Sequence, residues 1–351
     1  MNFILNFLVI LFLTATGLAS RARLDALQNK NHLSDTEIIY LFPTKVSELD
    51  PFVAIESGTT NTVNTSQGAF ASGLVQIDPQ TTLAVSAGRQ NNLTAAQRLM
   101  FNSLNTETFE LSQNPVEILW SYKNKGQSYG FGLFYSHQND KINQNNESTQ
   151  ILQAGYRSGF LTLSVALPLI NQVESVAAKK LNIADSSSVA VLYEIDNLTL
   201  SALFESFTAT QNNSGLDVSA LEYQSIEAAL SDRTDFDRNH FFYKIDIVIK
   251  NLKLKTTSIK RHENQLPLTL GIESEYSDWL ILRSSLKQTI LISQIENVPS
   301  AQNNTQAAFG LGFKFKNLIL DGTFTGLVGS AQTGVLSGDQ FLSEVAITSW
   351  F

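Results

Sequence analysis

The chain has 351 residues, 43% of them hydrophobic and only 16% charged, with 22 Phe and no Cys. A net charge of −8, from 24 Lys and Arg against 32 Asp and Glu, argues against general nucleic-acid binding. Without cysteine there is no disulfide framework. With no HxxxH pair and no EF-hand loop either, no metal or cofactor site is expected.

Residues 1–20 (MNFILNFLVILFLTATGLAS) carry an apolar run from Phe7 to Leu13 followed by small residues. The run is shorter than the ~20 residues of a spanning helix, so it reads as a signal peptide cut after Ala19 or Ala22. The lack of Lys or Arg before the run departs from the usual pattern. Residues 21–50 form an N-terminal segment, helical or extended, outside the strand rhythm that fills 51–351.

That rhythm is alternation of apolar with polar or small residues, bounded by turn residues. Strands are expected at 51–58, 68–77 and 81–89, with a turn at Asp78-Pro79. Residues 90–114 have helical character around 94–104 and belong to the loop side, as a constriction or a rim cap. From 115 the count is firmer. Val116, Ile118, Trp120 and Tyr122 share one face of 115–123, with Glu117, Ser121 and Lys123 opposite. Strand 127–137 sets Tyr129, Phe131, Leu133 and Tyr135 against Ser128, Gly130, Gly132 and Ser136. Strands 148–157, 160–168, 188–195 and 197–207 follow, separated by polar loops at 138–147 and 169–187 and by tight turns. Residues 208–238 are expected to be one outer loop with a helical piece, because a strand there upsets the parity of turns. Strand 239–250 places Phe241, Tyr243, Ile245, Ile247 and Ile249 on the apolar face. Tight turns are expected at 251, 277–278 and 317, and longer connections at 262–265, 296–304 and 328–340.

The chain ends on FLSEVAITSWF (341–351), alternating up to a terminal Phe351. With Val345 and Ile347, this resembles the bacterial outer-membrane β-barrel family, porin-like, whose last strand closes the barrel on Phe; Ser343 and Ser349 depart from the pattern. The resemblance implies an all-β, transmembrane, antiparallel up-and-down barrel with short periplasmic turns and longer outer loops. Sixteen strands is the count and fourteen the alternative. It also implies location in the bacterial outer membrane, contact with its lipid, and insertion by the barrel-assembly machinery. In several such barrels an N-terminal stretch plugs the lumen; a periplasmic tail is the other placement for 21–50.

The non-apolar face then lines the lumen, giving Glu117, Glu205, Lys244, Asp246, Lys255, Glu273, Arg283, Lys287 and Asp321 as the candidate lining. The cations among them bias a pore toward anions or simply pair with the carboxylates and brace the wall. Catalysis finds no constellation: His137, His240 and His262 all map to the outer ends of strands near Asp232, Asp235 and Asp237, but no spacing joins them, and His32 stands apart. The expected function is passive diffusion of small solutes, without enzymatic activity. The alternatives are a transporter of hydrophobic, fatty-acid-type compounds with an N-terminal hatch, favoured by a plugged, Phe- and Leu-lined lumen, and a surface adhesion or structural barrel.

Overall fold

The computed structural model describes residues 20–28, 35–58, 69–91, 93–98, 114–140, 145–175, 179–213, 216–254, 260–295, 304–328 and 344–351. The signal segment 1–19, His32 and Lys255 lie outside them. Sixteen antiparallel strands, β1 to β16, form one closed ring in which every strand pairs with its sequence neighbour and β1 pairs with β16. They are β1 Phe52–Gly58, β2 Phe70–Asp78, β3 Thr81–Ala87, β4 Val116–Asn124, β5 Gln127–Asp140, β6 Asn145–Ser158, β7 Leu161–Ser175 and β8 Lys179–Ile195. The second half comprises β9 Leu198–Asn213, β10 Leu216–Phe236, β11 Asn239–Leu254, β12 Lys260–Ser277, β13 Leu280–Ile295, β14 Asn304–Phe315, β15 Leu318–Val328 and β16 Glu344–Trp350.

Two-residue connections at 79–80, 125–126, 159–160, 196–197, 237–238, 278–279 and 316–317 all fall at one end of the ring. Lys125, Gly126, Gly159, Asp196, Asp237 and Lys316 take positive φ there. That conformation matches the twist of tight hairpins. The C-terminus lies at the same end. β16 runs against β1 from Phe52↔Trp350 to Gly58↔Glu344, and the Phe351 N–H donates to the Pro51 carbonyl at 3.2 Å. Phe52 and Trp350 meet inside, ring centroids 5.2 Å apart.

The outer face is the apolar one. Ile118, Phe131, Leu133, Leu163, Val165, Phe204, Ile245, Ile247 and Phe309 are exposed, while Glu117, Ser121, Ser136, Ser164, Lys244 and Asp246 from the same walls are buried inside. Water would penalise so large an apolar exterior, so the ring is built to stand in lipid.

The wall is uneven in height. β1, β3 and β16 have 7 residues each, whereas β10 has 21, about twice the 9–11 that a spanning strand needs. Along β7 to β11 the excess rises beyond the apolar belt at the loop end, and there the polarity reverses. Gln224, Asn251 and Lys253 point outward and are exposed, while Leu181, Ile183, Phe207, Leu221 and Tyr223 are buried on the inner side.

This reversal corrects several expectations. Residues 208–238 are not an outer loop: β9 continues to Asn213, and β10 occupies Leu216–Phe236. Asn251 is no turn, because β11 runs through it and pairs it with Gln224 and His262. The connection expected at 262–265 lies within β12, where the register shifts between Asn264 and Gln265. The count of sixteen still agrees, because β10 is missing from the expectation while β11 and β12 are divided there into three strands. The loops at 138–147 and 169–187 are likewise mostly strand, belonging to β5 to β8. One template, apolar outside and polar inside, cannot follow a strand out of the bilayer.

The ladder has a gap in this tall sector. β7 and β8 pair at Ala166↔Ser188 and next at Gln172↔Asn182, and the residues between do not pair across that seam. Pro168, which has no N–H to give, stands in the gap.

A charge on the outer face tests where the belt ends. Ile247→Lys should lower unfolding free energy in lipid vesicles by about 2–4 kcal/mol. Gln224→Lys, outward but above the belt, should change it by less than about 0.5 kcal/mol. Equal costs would mean that the belt reaches the top of β10.

Candidate functional site: the plugged lumen

Residues 20–28 and 35–50 lie inside the ring. A helix at Arg21–Leu27 packs against β12 to β16, and a 3-10 turn at Pro43–Glu48 packs against β3 to β6. A second such turn, Thr36–Tyr40, lies between them in sequence. The segment therefore reaches both walls. Ile38, Ile39, Tyr40, Phe42, Val46 and Leu49 form one apolar cluster with Phe52, Leu74, Leu119, Leu192 and Trp350 of the barrel. Glycines let the segment lie directly on the strands. A Cβ at Gly130 would collide with the backbone of Pro43 and Thr44, and one at Gly310 would sit 2.5 Å from the Ala26 side chain. The inward Gly130 of β5 thus marks where the chain's own segment seats.

Four ionic clusters stand in the lumen, three of them tying plug to wall, and each centres on a cation. Arg23 donates to Glu273 of β12 at 2.7 and 2.9 Å and lies 3.5 Å from Asp35. Arg283 of β13 joins the same group, at 2.6 Å from both Glu273 and Asp321. Arg89 holds Glu37 at 2.8 Å and Glu117 at 3.5 Å, with its guanidinium 3.7 Å above the Tyr40 ring. Lys45 bonds Glu194 and Glu48, and Arg157 pairs with Glu48. Burial pulls the Lys45 ammonium below its usual range, against the pull of Glu194. Burial likewise pushes the Asp35 carboxyl well above its ordinary value, opposed by Arg23 and by the Thr36 hydroxyl that donates to it at 3.0 Å.

The fourth cluster comes from the β3–β4 connection, which turns inward as a helical turn at 93–98. Arg98, fully buried, donates to Glu147 at 3.0 Å and Thr149 at 2.6 Å on β6, and to Asn171 at 3.1 Å on β7. Gln97 accepts from Asn171 at 2.9 Å and donates to Ser186 of β8 at 2.6 Å. Asn171 and Ser186 both stand in the unpaired β7–β8 stretch. One amide side chain thereby spans the seam that the backbone leaves open.

Of the expected lining residues, Glu117, Glu273, Arg283 and Asp321 face inward but are buried in these latches. Lys244 and Asp246 are also inward and buried, paired with each other at 2.7 Å. Glu205 and Lys287 are inward and half-buried; Glu205 shares a register row with Ser225, Lys250 and Glu263. Phe351 sits at the closing seam beside Pro51. Arg23 and Lys45 of the plug, and Arg89 and Arg98 of the β3–β4 connection, were not among the expected residues. Arg23, Lys45 and Arg98 lie in segments without alternation, and Arg89 closes the strand expected at 81–89.

The polar arc and the apolar cap are stacked. Above the Glu205 row come Phe207, Tyr223 and Leu252, and above those Ile183, Ala209, Leu221 and Leu254. Together with Val173 and Leu181 they form one apolar cluster on the inner face, and the Phe207 and Tyr223 ring centroids are 5.1 Å apart. The histidines do not converge. His240 stands at the short-turn end of β11, 2.7 Å from Asp235, whereas His137 and His262 are near the loop end. This corrects the shared outer position expected of all three.

No protein-family model matches the sequence, nor does any curated protein. Among solved structures, a FadL homologue of Pseudomonas aeruginosa is similar at 10% identity and a TM-score of 0.45, over 97% of this chain and 99% of that one. The CymD monoaromatic hydrocarbon channel is similar at 10% identity and 0.43, over 96% and 98%. A porin structure is similar at 8% and 0.40, over 86% and 99%. The chain contains no cysteine, so single-thiol labelling reads the plug cleanly. With Leu24→Cys as reporter, Arg23→Ala should raise the labelling rate at least ~100-fold, because it unpairs buried carboxylates at a cost of about 3–5 kcal/mol. An unchanged rate would show that the latch does not hold the helix. The chain is a closed sixteen-strand transmembrane β-barrel, and its own N-terminal segment lies in the lumen.

Proposed function

We propose that this barrel is a bacterial outer-membrane channel, short turns toward the periplasm, and that the segment 21–50 is its hatch. The supporting observation is the bridging of the lumen from β3–β6 to β12–β16 by that segment. An interior so filled favours the hatch reading over free diffusion through an open pore. The solute class follows from the mouth. Inside the tall wall the first surface is the Phe207, Leu221 and Tyr223 cluster, which suits a small apolar molecule better than an ion. Its members are buried, so a solute reaches them only when the cluster parts. The barrel-assembly machinery remains the expected partner in insertion.

Planar-bilayer recording tests the hatch. The full-length barrel should be silent or conduct weakly, and a variant lacking 23–50 should give large, stable steps. Large steps from the full-length protein would overturn the hatch reading in favour of an open porin. Uptake of the hydrophobic fluorophore N-phenylnaphthylamine into cells tests the solute class. Leu221→Asp should reduce uptake about tenfold, the factor expected from losing ~1.5 kcal/mol of apolar contact. Uptake equal to wild type would remove the cluster from the path.

A further inference from the structure

The start of the plug carries an inference about how the chain is processed. Ser20 is fully buried in the lumen, and its hydroxyl donates to Asp321 Oδ2 at 2.9 Å. The Ser20 carbonyl accepts the Arg23 N–H at 3.0 Å, opening the helix, and the Ala22 carbonyl accepts from the Thr323 hydroxyl. Further along, the Ala26 carbonyl accepts from Ser285 at 2.7 Å. A cut after Ala22 would delete the first three of these anchors together with the first helical turn, leaving only the one at Ala26. A cut after Ala19 keeps all of them.

The charges point the same way. Among the described residues, the bonded group around this helix holds two guanidiniums, Arg23 and Arg283, and three carboxylates, Asp35, Glu273 and Asp321. Three carboxylates beside two guanidiniums can accept a further cation there. We infer that the chain is cut between Ala19 and Ser20 and that the new α-ammonium of Ser20 docks beside Asp321 as the terminal pin of the plug. In the cut, water adds hydroxyl to the Ala19 carbonyl carbon as the C–N bond breaks. Its proton goes to the Ser20 nitrogen, which is an ammonium at neutral pH. A cation at the start of a helix opposes the peptide dipoles, and Asp321 supplies the carboxylate that offsets this. The inference rests on the proposed export but not on the solute.

Two measurements on the protein purified from cell envelopes test it. N-terminal sequencing and intact mass should give Ser20 as the first residue. Arg23 as first residue would overturn this inference alone, whereas a retained Met1 would overturn export as well. The pH dependence of acetylation of the Ser20 amine by an N-hydroxysuccinimide ester, read by mass spectrometry, then tests the pin. Pairing with a carboxylate raises the pH at which an amine becomes reactive, and burial alone lowers it. In the folded protein the midpoint should lie above that of the denatured chain, and Asp321→Asn should bring it down. A folded midpoint at or below the denatured one would overturn the pin, and it needs no variant to fold.

Discussion

Hydrocarbon offers the backbone no hydrogen-bond partner, so each N–H and C=O in the membrane must be paired within the ring. The closure of β1 on β16 is the direct consequence. It is made by two of the shortest strands and finished by the Phe351 N–H on Pro51. The ladder opens where proline removes a donor: Pro168 stands in the β7–β8 seam, and Pro267 faces the unpaired stretch of β11 at Asp246 and Ile247. At the first of these openings a side chain, Gln97, spans the seam in place of the ladder.

The same ring dictates what can fill it. A barrel with an apolar exterior turns its polar side chains inward, and a filled interior must then satisfy them. The plug does so with charges matched to the wall: Arg23 to Glu273, Lys45 to Glu194, and Glu37 to Arg89 just past β3. Buried ion pairs contribute little net stability, yet breaking one partner is expensive. Such contacts fix position more than they add to affinity. The apolar cluster of Phe42, Val46 and Trp350 supplies burial, and the ion pairs supply the register.

Period-two alternation made the membrane belt legible in sequence, because lipid and lumen impose opposite demands on successive residues. Ile245 and Ile247 outside, with Lys244 and Asp246 inside, could be read without coordinates. Gly130 and Gly132 were readable as close-packing positions for the same reason. The strands above the belt were not legible, since Asn251 and Gln224 resemble turn residues when a lipid-facing template is applied to them. Glu117, Lys244, Asp246, Glu273, Arg283 and Asp321 do turn inward, yet their partners stayed hidden. Arg23 and Arg98 lie in non-repeating segments and Arg89 at the end of an expected strand, and only folding brings them to Glu273, Glu147 and Glu117. Periodicity encodes which way a wall residue points, but not what stands opposite it across the lumen.

The vertical order of the inner face bears on how such a plugged barrel could work as a channel. The apolar rows of Phe207 and Ile183 stand directly above the row of Glu205, Lys250 and Glu263 on the same strands. Glu205, Glu227 and Lys250 are half-buried, whereas the latch residues Glu117, Glu273 and Asp321 are fully buried. The strongest plug contacts thus lie away from the sector beneath the apolar cap. Under the proposed transport reading, a solute released from the cap meets the polar arc, where wall and plug are least tightly joined. Shifting one turn of the plug there disturbs fewer buried pairs than expelling the segment, which would strand Arg23 and Lys45 and take Glu37 from Arg89. Since each stranded pair costs several kcal/mol, local displacement is the cheaper opening by a wide margin.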